Sequence, residues 1–248
     1  QSLANQPLNG PAAVFVPAWQ EAAVIGDTIR HALSVWPQRG LRLYIGCYRN
    51  DPETIVAVMQ AAAQLSKTGD TRLRVVIHDR EGPSTKADCL NRLHQALRDD
   101  ERRSGQLFSS IVFHDAEDMV DPAALALLDD AVAKGADFVQ LPVEAVPQAK
   151  SRWLGSHYCE EFAEAHGKAM VVRDALGTAL PAAGVGCAVS RRALHHLCRR
   201  RVDGAPFDAQ SLTEYFELGL AVAERGGASP NIRARAEDET LIASRAFF

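Results

Sequence analysis

His114-Asp115-Ala116-Glu117-Asp118 places three carboxylates within four residues. Carboxylates packed this closely repel one another unless a cation or a proton intervenes. A hard divalent ion that also holds a diphosphate would supply that cation. The alternative reading is a solvated turn whose acids favour the N-terminus of the next helix. The apolar run Ser110-Ile111-Val112-Phe113 precedes the acids and has the character of a buried parallel strand. Asp121-Pro122 follows, an N-cap type and a first-turn proline, and predicts a helix over 122–133. The acids therefore occupy the turn at the C-terminal end of a strand, where open α/β sheets bind ligands.

Lys86 opens a second constellation. It lies at the predicted start of a helix, with Asp88 and Asn91 about one turn on. A solvated surface lysine and a substrate-facing cluster both fit these residues. Other chemistries lack their patterns. Gly82-Pro83-Ser84-Thr85-Lys86 is not GxxxxGK[ST]. No GxGxxG follows the first strand, and HExxH and GxSxG are absent.

The elements that must position these residues alternate. Strands are predicted at 13–16, 41–46, 73–77, 110–113 and 138–143, with helices over 22–35, 53–65, 86–98 and 122–133. Asn50-Asp51-Pro52 caps the second helix, and 78–85 is a loop rich in turn residues. Such alternation implies right-handed crossovers and a mostly parallel sheet flanked by helices. Beyond it we expect a long helix over 153–172, a short strand Cys187-Ala188-Val189 after Gly184-Val185-Gly186, and helices over 191–200 and 211–225. The expected organisation is a single domain, 1–248, with a nucleotide half at 13–143 and an acceptor half at 144–248. The boundary falls within 142–151.

The 248 residues suffice for one large α/β domain, and 47% hydrophobic with 23% charged residues is ordinary for a soluble one. A net charge of −4 gives no reason to expect nucleic acid as a partner. Five scattered cysteines without a CxxC pair are expected to be reduced packing residues. No apolar stretch is long enough to span a bilayer and no signal peptide is evident. Gln1 at one end and Phe247-Phe248 at the other suggest a soluble domain cut from a longer protein.

These pieces, in this order, resemble family 2 glycosyltransferases of the GT-A fold. Val16-Pro17-Ala18-Trp19-Gln20-Glu21 is similar to that family's opening strand and loop, and Asn50-Asp51 lies where it sets an aspartate against the nucleoside. Lys86-Ala87-Asp88-Cys89-Leu90-Asn91 resembles its GKAxALN segment without the glycine. Asp115-Ala116-Glu117 resembles its DxD, with Pro122 behind it. Gly184-Val185-Gly186 and Ser190-Arg191-Arg192-Ala193-Leu194 are similar to its glycine loop and arginine pair, and Ser211-Leu212-Thr213-Glu214 to the approach to its TED. Leu141-Pro142-Val143, His157-Tyr158, Glu161-Phe162-Ala163-Glu164 and His166-Gly167-Lys168 point to a group of bacterial inner-membrane members associated with bacteriophage adsorption. Some of that group are linked to exopolysaccharide synthesis and to cyclic di-GMP.

The resemblance implies an inverting transfer from a nucleotide diphosphate sugar, a UDP-sugar in the first instance, to a glycan hydroxyl. It implies substrate contacts from Pro17, Ala18, Glu21, Asp51, Lys86, Asp88, Asp115, Ala116, Gly184 and Gly186. It further implies Mg²⁺ or Mn²⁺ on Asp115 and Glu117, with Asp118 as the other candidate partner of Glu117. The full-length protein would then be membrane-embedded with an envelope partner, and this domain would face the cytoplasm. Three departures stand out. Glu117 replaces the second aspartate of DxD. Tyr215 stands where the family has its aspartate base, which leaves Glu214 as the nearest substitute and Glu217 and Asp208 as weaker ones. No QxxRW follows, because Gln148-Ala149-Lys150-Ser151-Arg152-Trp153 has one residue too many and precedes the glycine loop. A phenol with a pKa near 10 is a poor proton acceptor. The rival expectation is therefore a non-catalytic module that binds nucleotide sugar as the regulatory or receptor part of a membrane envelope complex.

Overall fold

Alternation along the first strand sorts the core into two layers. In a computed structural model of the chain, residues 3–146, 159–236 and 238–247 are described. Strand β1, Ala12–Pro17, turns Ala12, Val14 and Val16 to one face and Ala13 and Phe15 to the other. The first face packs under helices α1 (Ile25–Val35), α2 (Pro52–Lys67) and α4 (Ala124–Ala133). The second packs under α3 (Lys86–Ser104), α6 (Arg191–Arg200) and α7 (Glu214–Ala223). Both faces being covered explains why these strands are almost continuously apolar.

With β2 (Leu41–Tyr48), β3 (Leu73–His78), β4 (Ser110–Phe113), β5 (Phe138–Gln140) and β7 (Cys187–Ser190), β1 forms a six-stranded sheet in the order β3-β2-β1-β4-β7-β5. The pairs among β3, β2, β1 and β4 are parallel. Strand β7 comes from beyond residue 144 and inserts antiparallel between β4 and β5. A second sheet pairs β6 (Val143–Val146) with β8 (Ser244–Phe247) in parallel. Residues 159–175 are helical, with a π-helical turn at Ala165–Ala169 and α5 at Met170–Ala175.

Several expected boundaries move. The strand expected over 138–143 breaks at Leu141-Pro142, because proline has no N–H for a ladder, and its second half pairs in the other sheet. Helix α4 starts at Ala124 rather than 122, since Asp121 spends its carboxylate on Ala123 N at 2.8 Å in a local turn. Helix α3 runs past 98 to Ser104 and ends on Gly105 in the left-handed region. Its charged last turns are held by buried Glu101, which accepts from Phe108 N at 3.0 Å and pairs with Arg191. Helix α7 begins at Glu214 rather than 211. Residues 147–158, which include Gln148–Trp153, His157-Tyr158 and the start of the expected 153–172 helix, lie outside the described residues.

Candidate active site

The loop after β1 is built by backbone amides. Pro17 closes β1 opposite Gly46, and Ala18 N donates to Gly46 O at 2.8 Å. Gln20 N donates to Asp51 Oδ2 at 2.6 Å, and Glu21 N donates to Thr54 Oγ1 at 2.9 Å. Asp51 also caps α2 by accepting from Thr54 N at 3.3 Å, with Pro52 at the first helical position. Asp51 is thus buried and ties the β1 loop to the end of β2. Burial, then the charge of Asp115, raises the Glu21 carboxyl above its ordinary range, against an opposing pull from Lys86.

The acidic turn divides its carboxylates by direction. Asp118 points inward and is 1% exposed. Its Oδ2 accepts from Asp115 N at 2.7 Å and lies 3.4 Å from His114 Nδ1. Its Oδ1, like His114 Nε2, has no hydrogen-bond partner among the described residues. Burial raises the Asp118 carboxyl, and His114 opposes that by hydrogen bond and charge. Asp115 points to the sheet edge, where Lys86 Nζ donates to its Oδ1 at 2.6 Å. Ala116 is buried, and its carbonyl accepts from Thr28 Oγ1 at 2.6 Å. Glu117 is half-buried, and burial with the charge of Asp115 pushes its carboxyl up to about 7.

Lys86 stands at the start of α3 because Thr85 caps that helix by accepting from Asp88 N at 3.1 Å. Burial alone would lower the ammonium's pKa, but Asp115, Glu214 and Glu117 outweigh it and raise the group. Asp88 instead faces His78, whose Nε2 is 3.2 Å from Asp88 Oδ2, with Arg80 3.6 Å from the other oxygen.

The far wall comes from the second half of the chain. Gly184, at φ 88°, gives way to the ring of Tyr215, since a Cβ there would lie 2.6 Å from Tyr215 Cδ2. Gly186, at φ 61°, is pressed against Ser244. The Tyr215 ring packs edge-on against Phe113 at 5.6 Å, with Lys86 Nζ 5.3 Å from its centroid. Its buried hydroxyl has no partner among the described residues, and burial followed by the charge of Asp115 raises its pKa well above 10. Glu214 is buried next to it with its carboxyl also raised, by burial first and Asp115 next, while Lys86 opposes. Glu217 is exposed and accepts from Ser211 Oγ and Thr213 Oγ1 at 3.0 and 2.9 Å. Asp208 lies 3.5 Å from Arg201.

Asp115, Glu117 and Lys86 therefore meet at one sheet edge, with Glu21 and Glu214 within electrostatic reach. A divalent cation fits there in part. Burial, then the charge of Asp115, favours a proton on Glu117, and a metal would replace that proton. Among the described residues no three His, Cys, Asp or Glu form a ready-made cage. The protein would supply one or two carboxylates, leaving a diphosphate and water to complete the shell. A groove of about 1170 Å³ near Leu127, Leu220 and Pro230 lies away from these side chains.

Two supports had no pattern to announce them. Gln140 is wholly buried, donates to Leu141 O and Val185 O at 2.8 and 2.9 Å, and accepts from Ala183 N at 2.9 Å, which fixes the glycine loop. A lone amide in an apolar strand was its signal. Trp19, Tyr48 and His78 form an aromatic wall, with Trp19 edge-on and His78 stacked on Tyr48, both at 5.2 Å. Asn50 holds the next loop in place by exchanging two bonds of 2.7 Å with Gly82.

Comparison with known proteins decides the family. A model described as "Glycosyltransferase like family 2" matches residues 10–229. The chain belongs to this glycosyltransferase family. It is 36% identical over 234 residues to Bacteriophage adsorption protein B of Escherichia coli K12 and to Bacteriophage N4 adsorption protein B of E. coli O157:H7. The matches cover 94% of this chain but only 30% of either relative, so the chain spans under a third of their length. A Pyrobaculum calidifontis mannosyltransferase in complex with GDP-Man and Mn²⁺ superposes with a TM-score of 0.60 at 18% identity, covering 93% of this chain and 59% of that one. Glucosyl-3-phosphoglycerate synthase of Mycobacterium tuberculosis, in complex with Mn²⁺, UDP-glucose and phosphoglyceric acid, gives 0.53 at 19%, covering 93% and 74%. The mostly parallel, helix-flanked sheet of this glycosyltransferase is thus of the GT-A type. Among the described residues, no helix is long and apolar enough to cross a membrane.

Proposed function

We propose that this family 2 domain performs an inverting, metal-dependent transfer of a sugar from a nucleotide diphosphate sugar, a UDP-sugar, to a glycan hydroxyl. The observation that carries the reading is the meeting of Lys86, Asp115 and Glu117 at one sheet edge. Asp115 and Glu117 would hold Mg²⁺ or Mn²⁺, which when bound neutralises the diphosphate as it leaves. Lys86 has two further N–H donors to offer the diphosphate beside its bond to Asp115. Asp51 and the Pro17–Ala18 turn with Glu21 frame the nucleoside, with Asp88 and Ala116 in its surroundings. Gly184 and Gly186 shape the sugar end. We place the nucleotide half at 13–143 and the acceptor half at 144–248.

In the transfer, the acceptor oxygen bonds to the anomeric carbon as the bond to the diphosphate breaks, and the hydroxyl proton must go to a base. Tyr215 is a poor one, being buried with a raised pKa. Glu214 is the carboxylate beside it, and its raised pKa makes it a stronger base than an exposed glutamate. We place the full-length protein at the cytoplasmic face of the bacterial inner membrane, in envelope or exopolysaccharide synthesis with an envelope partner. The similarity to the E. coli adsorption proteins supports that placement. Tyr215 also favours a second reading, in which the domain binds nucleotide sugar without transferring it.

The test is sugar release from a panel of radiolabelled nucleotide sugars, with binding followed in parallel. Slow release that Glu214→Gln abolishes without loss of binding is the expected result. Binding without release from any donor favours the second reading, and release indifferent to Glu214→Gln removes Glu214 as the base.

A further inference from the structure

Helix α3 carries a second chemistry on its outer face, away from the acidic turn. Arg92 and Arg98, with Arg80 from the loop after β3, line a groove of about 350 Å³ closed on its other side by residues 203–205. Of the three acids lining that groove, Asp88 and Asp203 face arginines, while Asp79 stays exposed beside a His78 Nδ1 that already accepts from Arg80 N. Asp88 faces His78 and Arg80 at 3.2 and 3.6 Å, and Asp79 lies 3.3 Å from His78 Nδ1. Asp203 takes Arg201 at 3.2 Å and Ala205 N at 3.1 Å. Farther along α3, Arg102 and Arg103 reach Asp99 and Asp100 at 2.6 and 2.5 Å. Arg92 and Arg98 differ from these neighbours, because neither meets a carboxylate, a carbonyl or a ring among the described residues. Arg92 is moreover half-buried, with its alkyl stem laid along the helix. His94 on the groove floor is held neutral, near 4, by burial and by the charges of Arg98 and Arg191.

We infer that this groove is a second binding site, for a phosphate group carried by a soluble molecule or by a lipid. Guanidinium forks match phosphate oxygens in pairs, which a lysine patch would not do. The concave, half-open shape between helix and loop suits a small anionic group better than a flat protein face. None of the arginines involved belongs to the donor pocket, so the inference stands whether or not the transfer reading does.

The probe is pyrophosphate without divalent metal, titrated into the whole chain while the arginine Nε–H resonances are followed by NMR. The Arg92 and Arg98 signals should shift, and each arginine replaced by alanine should weaken binding about ten-fold. Arg98→Glu, an exposed site outside the core, should do at least as much, and Arg103→Ala should do nothing. UDP binding with Mn²⁺ should be unchanged in all of them. In a parallel arm, flotation with phosphatidylcholine vesicles, with and without phosphatidylglycerol, separates the sources. Retention by phosphatidylglycerol that the double alanine variant loses assigns a lipid headgroup, and pyrophosphate binding without retention assigns a soluble phosphate. The inference is overturned if neither probe binds, or if binding survives Arg98→Glu and the double variant, or falls equally in Arg103→Ala.

Discussion

Glu117 and Asp118 are neighbours with opposite fates, and the difference sets the behaviour of the acidic turn. Glu117, pushed up to about 7, holds its proton in the folded chain where the unfolded chain releases it near 4.5. The folded state thus binds more protons between those values, so this group makes stability fall as pH rises through that window. Ligation by a metal requires the proton to leave, so Mn²⁺-dependent nucleotide affinity should climb with pH up to about 7 and then level. Titrations across that range should show the slope in the wild type and a flatter profile in Glu117→Gln. We further expect Glu117→Ala to weaken metal-dependent nucleotide binding with little change in melting temperature. Asp118→Ala, which leaves Asp115 N without its buried acceptor, should cost about 1–3 kcal/mol. That is a melting shift of several degrees, on the order of 2–4 °C per kcal/mol for a chain of this size. A larger loss of metal dependence in Asp118→Ala would reverse the two roles. The acids themselves were legible in the sequence as a cluster. Which of them turns inward was not, because that depends on the amide of Asp115 and the imidazole of His114.

The glycine loop shows how much a single element depends on residues far from it in sequence. Gln140 in β5 holds Ala183 and Val185, and Gly184 yields its side-chain space to Tyr215. Gly184→Ala combines a left-handed φ of 88° with a contact on the Tyr215 ring, and should cost more than about 1 kcal/mol, visible as a lowered melting temperature. Gln140→Leu should destabilise by about 1–3 kcal/mol through the groups it leaves unsatisfied. Restoring an acid with Tyr215→Asp is a poor test of catalysis, since removing a buried aromatic costs about 3–5 kcal/mol. Glu214→Gln is the cleaner change. The strands and helices up to α4 were readable because each unit is local, an apolar run followed by a capped amphipathic helix. The insertion of β7 between β4 and β5 was not readable, since antiparallel pairing across some 75 residues leaves no mark in either strand. The break at Leu141-Pro142 carried a mark, the proline, that the apolar run obscured.

At the scale of the whole molecule, the donor side we propose would be assembled from the first four strand ends, and the proposed acceptor side would depend on α7 and the glycine loop. We expect donor binding through Lys86 and Asp115 even where the buried Tyr215 leaves turnover slow. Calorimetric titration of UDP, with and without Mn²⁺, into the wild type and Asp115→Ala tests this most directly. The account predicts binding that Mn²⁺ strengthens in the wild type and a loss of that Mn²⁺ effect in the variant. Equal affinity with and without the metal in both proteins would contradict it.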